Sequence, residues 1–191
     1  MSATTRALVP TLVPAQTLLR QAGLVIGGAA LTALAAQASI PLQPVPLTLQ
    51  TLAVTLCGIT MGARLGLLSQ LTYLAAGACG LPVFANGAFG IQQFVGPTAG
   101  YLVAFALAAG LLGWMADRGW DRKIWSASIA LALGNLLILT VGTAWLALGM
   151  HLGWSTAWAA GFAPFIVGAV MKSVVVVIAM PVAWRLVGKN R

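Results

Sequence analysis

One lysine interrupts an otherwise apolar run. Residues 166–180 read IVGAVMKSVVVVIAM, with Lys172 near their middle. An ionised lysine at the centre of a lone membrane helix costs about 2.5–3.5 kcal/mol on insertion scales, and such residues normally pair with an acid. The chain has no glutamate, and its two acids, Asp117 and Asp121, share one distant connection. Three readings stay open. Burial can strip the proton from the amine. The side chain can snorkel to an interface, although about ten residues separate it from either end of its segment. Or the amine faces a water-accessible cavity, where a carboxylate-bearing small molecule would complete the charge pair.

Two uncharged segments could build such a cavity. GLPVFANGAFGIQQFVGPTAGYL (80–102) interleaves glycines with Phe84, Phe89, Phe94 and Tyr101, and adds the amides Asn86, Gln92 and Gln93. Irregular backbone at membrane depth is tolerated where it is packed in protein or lines a cavity. Aromatic rings with a few amides suit a ligand with an apolar body and a polar head. The candidate binding residues are therefore Lys172, Asn86, Gln92, Gln93, Tyr101 and Phe89. Asn135 could join them, and is equally explained as an interhelical hydrogen bond. SIPLQPVPLTLQTL (39–52) carries Pro41, Pro44 and Pro46, so it reads as a stiff connector or as a lid over an outward-facing pocket.

Other chemistry lacks its parts. The G-x-x-x-x-G-K-[ST] pattern occurs nowhere; GAVMKS (168–173) lacks the glycine before the lysine. No nucleophile–base arrangement or carboxylate pair is visible, so an enzyme is not expected. Cys57 and Cys79 read as small core hydrophobes. His151 reads as a loop residue, since one histidine cannot build a metal site. A binding and translocating subunit whose energy comes from elsewhere fits what remains.

The elements that must hold these residues are membrane helices. Of the 191 residues, 60% are hydrophobic and 6% charged, and mean hydropathy is +0.98. Soluble domains carry roughly 25% charge, so this is an all-α integral membrane protein. Spans are expected at Ala22–Ala38, Leu47–Met61, Leu65–Gly80, Pro97–Ala116, Ile124–Gly149 and Gly161–Val187, the second and third rather short. Six spans place Arg6, Arg20, Arg64, Arg118, Arg122, Lys123, Arg185, Lys189 and Arg191 on one side, nine of the ten cations. Connections 39–46, 81–96 and 150–160 hold no charged residue. The positive-inside rule then makes both termini cytoplasmic, and the net charge of +8 reports topology, not nucleic acid.

The expected organisation is a cytoplasmic lead-in, residues 1–19, before a single transmembrane substrate-binding domain, residues 20–191. Residues 36–39 (AQAS) offer an A-x-A cleavage pattern whose use would leave five spans. The leader would be unusually long, with Pro10 and Pro14 ahead of its apolar stretch. Small-xxx-small spacings recur, among them Gly23–Gly27 and Gly58–Gly62–Gly66, and permit close helix contact. Ala29, Ala33 and Ala36 share one face of the first span, which could dock another membrane protein.

Three stretches resemble a known family: SIPLQPVPLTLQTLAVTLCGITMGARLG (39–66), YLAAGACGLPVFANGAFG (73–90) and FVGPTAGYL (94–102). Their order and spacing resemble the BioY family, the biotin-specific S components of energy-coupling factor (ECF) vitamin transporters, over about residues 20–187. The resemblance implies a six-helix S component with an outward-facing biotin pocket, in the cell (inner) membrane. It implies an ECF transmembrane coupling protein and two ATPase subunits as partners, so ATP is used only there and no cofactor is bound here. It leaves open action without that module and association with further copies. Lys172 and Gly168 match a G-D-x-x-K pattern whose lysine would meet the valerate carboxylate of biotin. The pattern's aspartate falls on Ala169, which keeps a different carboxylate-bearing vitamin as the alternative. Asn86, Gln92, Gln93 or Asn135 would have to replace that acid. Ala99 stands where the motif GPTGGYL has its second glycine.

Overall fold

The computed structural model describes residues 7–12 and 17–189, the side chains of 186–189 excepted. Arg6, Pro14, Arg191, the Lys189 side chain and much of the 1–19 lead-in lie outside the described residues. Within the lead-in, α1 (Leu8–Leu12) is a short helix whose Leu8 is buried. Then come α2 (Leu18–Gln37), the two-residue strands β1 (Ser39–Ile40) and β2 (Leu47–Thr48), and α3 (Gln50–Ala78). A loop with two 3₁₀ turns, Ala85–Gly87 and Ile91–Phe94, leads to α4 (Ala99–Ala116). After it come α5 (Ile124–Ala144), which ends in a π turn at Trp145–Gly149, α6 (Trp154–Gly161) and α7 (Ala163–Lys189).

α3 contains the second and third expected spans, and Gly62 is where they part. Its φ of 82° and ψ of 173° are not helical. Residues on either side fold back on each other. A Cβ on Gly66 would lie 3.1 Å from the Gly58 Cα, and Gln50 Nε2 donates to the Tyr73 hydroxyl. In a straight helix residues 23 apart would be about 34 Å apart at 1.5 Å per residue. α3 is therefore an antiparallel pair of arms, 50–61 and 63–78. The break is an N-terminus for the second arm, and a carboxylate sits there: Asp117 Oδ2 accepts from the Ala63 backbone N–H at 3.0 Å. An anion at a helix start is favoured by the helix dipole. A side chain at Gly62 would meet both the left-handed backbone and that carboxylate.

α4 runs through the centre, with Ala104, Ala108, Ala109 and Leu112 fully buried. It packs on α3 and α5. The small residues of the first arm set the spacing: a Cβ on Gly58 would strike the Ala109 backbone. α2 lies along the hairpin, its Leu24 and Val25 against Cys57, Met61 and Leu65. Its inward face carries Ala29, Ala33 and Ala36, the first and third buried. That corrects the expectation of a free docking face there. Nothing in the chain lies within 4 Å of a Cβ on Gly23 or Gly27, so the outward strip runs through Gly23, Ile26, Gly27, Ala30, Leu31 and Leu34. Of the cysteines, Cys57 is buried as expected, whereas Cys79, just past the last turn of α3, is exposed.

The two ends of the bundle differ in charge. One end holds the Gly62 turn, the 117–123 connection and the last described turns of α7, where Trp184 Nε1 donates to Asp121 Oδ2 at 2.8 Å. Burial pushes the Asp121 carboxyl above its ordinary value, and the indole N–H opposes that. The other end holds the uncharged connections, bonded to one another. His151 is exposed there, in a turn at φ 55°.

Replacing Gly62 by alanine should cost about 1–3 kcal/mol, the penalty of a side chain in a backbone region that is essentially glycine's alone, before any loss of the Asp117 contact. Thermal unfolding in detergent would show it as a lowered Tm. An unchanged Tm would mean that the turn is not strained by a side chain.

Candidate functional site

A cavity of about 280 Å³ opens among the uncharged connections. β2, with the residues just before it, makes one wall, and β1 pairs with it. They pair antiparallel, Ser39 opposite Thr48 and Ile40 opposite Leu47, and the proline segment between them turns Val45 inward. Val45, Pro46, Leu47 and Thr48 line the cavity, so this stretch is both connector and wall. The long loop makes a second wall. Phe84, 3% exposed, anchors it, edge-on to Tyr73 at 5.4 Å and to Phe94 at 5.9 Å. Gly77 permits this approach, because a Cβ there would lie inside the Phe84 ring.

Gln37 ties that loop to the end of α2. Its Nε2 donates to the Phe84 carbonyl at 3.2 Å, and its Oε1 accepts from the Gly87 N–H at 3.1 Å. The Ser39 hydroxyl adds a 2.6 Å bond to Asn86 Oδ1. The loop edge of the site is thus fixed by side chains of the segment before it.

Lys172 lies nine residues into α7, roughly 13 Å from its start. Its Nζ donates to the Thr48 carbonyl oxygen and, at 2.9 Å, to Thr51 Oγ1. Two of the ammonium's three donors are thus used. The third and the Thr51 hydroxyl proton have no partner among the described residues, and both residues line the cavity. Both acids are at the opposite end of the bundle, beside Gly62 and Trp184. Two adjacent donors, one of them cationic, suit a carboxylate. Between this floor and the loops the walls are apolar, with Leu102, Phe105, Ile138, Leu139 and Phe165 among them.

The cavity gathers Lys172, Asn86, Gln93, Tyr101 and Asn135 from the sequence candidates. Gln92 and Phe89 are not in its wall: Gln92 Nε2 donates back to the Phe89 carbonyl at 2.8 Å, and Phe89 is 50% exposed. The Tyr101 hydroxyl donates to the Gly161 carbonyl at 2.6 Å, which leaves the ring as its contribution. Asn135 donates to the Leu131 carbonyl at 2.9 Å and to Ser173 Oγ at 3.1 Å. It is therefore an interhelical bond and a wall residue at once, with its amide oxygen still able to accept. Ala169, Lys172 and Asn135 all line the cavity. Sequence reasoning missed Thr48, Gln50, Thr51 and Thr98. Three of them lie in or beside the PVPLTLQT string, whose polar side chains were the available signal.

Comparisons with known proteins agree with this layout. The model of the BioY family matches residues 5–189. A probable biotin transporter BioY of Pyrococcus horikoshii is 41% identical over 161 residues, 84% of this chain and 92% of that protein. Biotin transporter BioY2 of Lactococcus lactis subsp. cremoris is 39% identical over 151 residues, 79% of this chain and 82% of its own length. A crystal structure of the S-component for biotin from an ECF-type ABC transporter superposes with a TM-score of 0.75 at 25% identity, covering 90% of this chain and 95% of that one.

Gln37→Ala should free the loop edge. Each of its two bonds to the loop is worth roughly 1 kcal/mol, and the Gly87 N–H keeps the Phe84 carbonyl at 3.1 Å as a second acceptor, so the amides of 84–90 should exchange hydrogen up to about fivefold faster. Hydrogen-exchange mass spectrometry of peptides spanning 84–90 would read this, with 101–110 as the internal control. Unchanged exchange at 84–90 would mean that Gln37 does not hold the loop.

Proposed function

We propose that this chain, which belongs to the BioY family, takes up biotin as the substrate-binding S component of an ECF transporter. The observation that carries the reading is Lys172. Its ammonium is fixed at the cavity floor by a carbonyl and a hydroxyl, has no carboxylate among the described residues, and keeps one donor for a ligand.

Biotin supplies what the cavity lacks. Its carboxylate would take the free Lys172 and Thr51 donors. Its alkyl chain and thiophane ring would lie between Leu102, Phe105, Ile138 and Phe165. Its ureido N–H groups need acceptors, and the family aspartate is Ala169 here. The Asn135 amide oxygen, in the cavity lining with Ala169, is the best-placed replacement. Asn86 and Gln93 would bond the ligand from the loop edge.

The energy must come from partners. ATPase subunits and a transmembrane coupling protein would act on the outward strip of α2, where Gly23 and Gly27 leave room for a close helix contact. The cationic end of the bundle would face the cytoplasm and the cavity the outside, in the cell membrane.

The test is biotin binding to purified, detergent-solubilised chain by calorimetry, wild type beside Lys172→Ala. Losing a charge-assisted hydrogen bond costs about 1.5–3 kcal/mol, so Kd should rise roughly 10- to 150-fold in a variant with wild-type Tm. No binding by the wild type would overturn biotin as the ligand. Equal binding by both would leave biotin and remove Lys172 from its site.

A further inference from the structure

Two recesses lie between α5 and α7. The one at the cationic end has walls that include Arg122, Lys123, Trp125, Trp184 and Arg185. That recess has fixed geometry: Asp121 holds the Trp184 indole N–H at 2.8 Å, and the Arg122 guanidinium lies over the Trp184 ring, 4.6 Å from its centre. Neither Lys123 nor Arg185 has a side-chain hydrogen bond or ion pair among the described residues. The 21-residue α5 starts there with no side-chain cap, so its first N–H groups add to the positive field. Trp125 is 83% exposed at the rim, where amphipathic aromatic rings sit at a membrane interface.

The second recess begins one helical turn away, at Ser128 after Ile124 and at Val177 before Pro181, and is apolar. Its walls run from Ser128 and Val177 to Leu139 and Phe162, around a volume of about 420 Å³. The polar groups in it are satisfied inside the protein: Ser128 Oγ bonds the Ile124 carbonyl, and Ser173 bonds Asn135. Ser128 to Leu139 is eleven residues, roughly 16 Å of helix. That is about half of a hydrocarbon core roughly 30 Å thick, the depth of one leaflet.

We propose that the two recesses, one helical turn apart, together form one binding site for an anionic phospholipid, its phosphate among Arg122, Lys123 and Arg185 and one acyl chain along α5 and α7. Charge complementarity selects the head, and the depth of the apolar part selects a chain over a soluble phosphoester. Basic pockets between helices at the cytoplasmic side are the expected setting for such lipids. The tail groove and the ligand cavity have Asn135, Leu139 and Ala169 as common wall residues, so an occupying chain would close the cavity's lipid side. This inference does not depend on which vitamin the cavity takes.

The test is native mass spectrometry of the full chain with phosphatidylglycerol or phosphatidylcholine of the same acyl chains. Phosphatidylglycerol should be retained at least about tenfold more. The double variant Lys123→Gln/Arg185→Gln should lose that preference while keeping the wild-type Tm in detergent, which shows it is folded. Ala132→Phe, on an exposed groove position, should weaken retention with every charge in place. Glycerophosphoglycerol, the head without tails, should fail to displace the lipid at equal concentration. Equal retention of both lipids, an unchanged preference in the double variant, or full displacement by the tail-less head would each overturn the assignment.

Discussion

A membrane-buried ammonium with no acid beside it is the constraint on which this structure turns. Lys172 can be held charged only if several dipoles converge on it. The chain arranges this by bringing β2 and the first turn of α3 against the middle of α7. The Thr48 carbonyl and Thr51 hydroxyl then reach the amine across 124 and 121 residues of sequence. The proline segment makes this possible. It carries the chain from the end of α2 back down to the level of Lys172 in a short, stiff excursion pinned by the β1–β2 pair. Thr48 cannot shift without releasing Lys172, so the cavity floor and its wall are one unit.

The Gly62 turn is the counterpart at the other end. Two short arms fit beside longer helices only because the chain reverses within one residue, and Asp117 steadies the reversal from α4. The two acids are thus spent on architecture, one at a helix start and one on an indole. This division explains why the ligand end of the bundle is free of charge except for Lys172, and why an anionic ligand has no competitor for it.

Much of the membrane architecture was legible in the residues. Hydropathy and the distribution of cations gave six spans, and the α3 hairpin, whose helical backbone breaks at Gly62, supplies the second and third of them. The single lysine in an apolar run drew attention to Lys172, which lines the cavity. The finer contacts were harder to read. Thr48 and Thr51 read as ordinary residues at the start of the expected span Leu47–Met61, because nothing local marks a carbonyl and hydroxyl that bond far along the chain. Phe89 and Gln92 have the right types for a binding site, but the 3₁₀ turns rotate them away, and loop direction does not follow a period that a sequence displays. The Ala29–Ala33–Ala36 face was visible as a helical stripe. Spacing alone could not say that the hairpin, and not a partner, covers it.

The most direct measurement compares biotin with its methyl ester, in wild type and in Lys172→Met. If Lys172 and Thr51 receive the carboxylate, the ester should bind the wild type at least about tenfold more weakly than biotin. The two ligands should then bind the variant almost equally. An ester that binds the wild type as tightly as biotin does would show that the carboxylate lies elsewhere, and that the buried ammonium serves another part of the ligand or none.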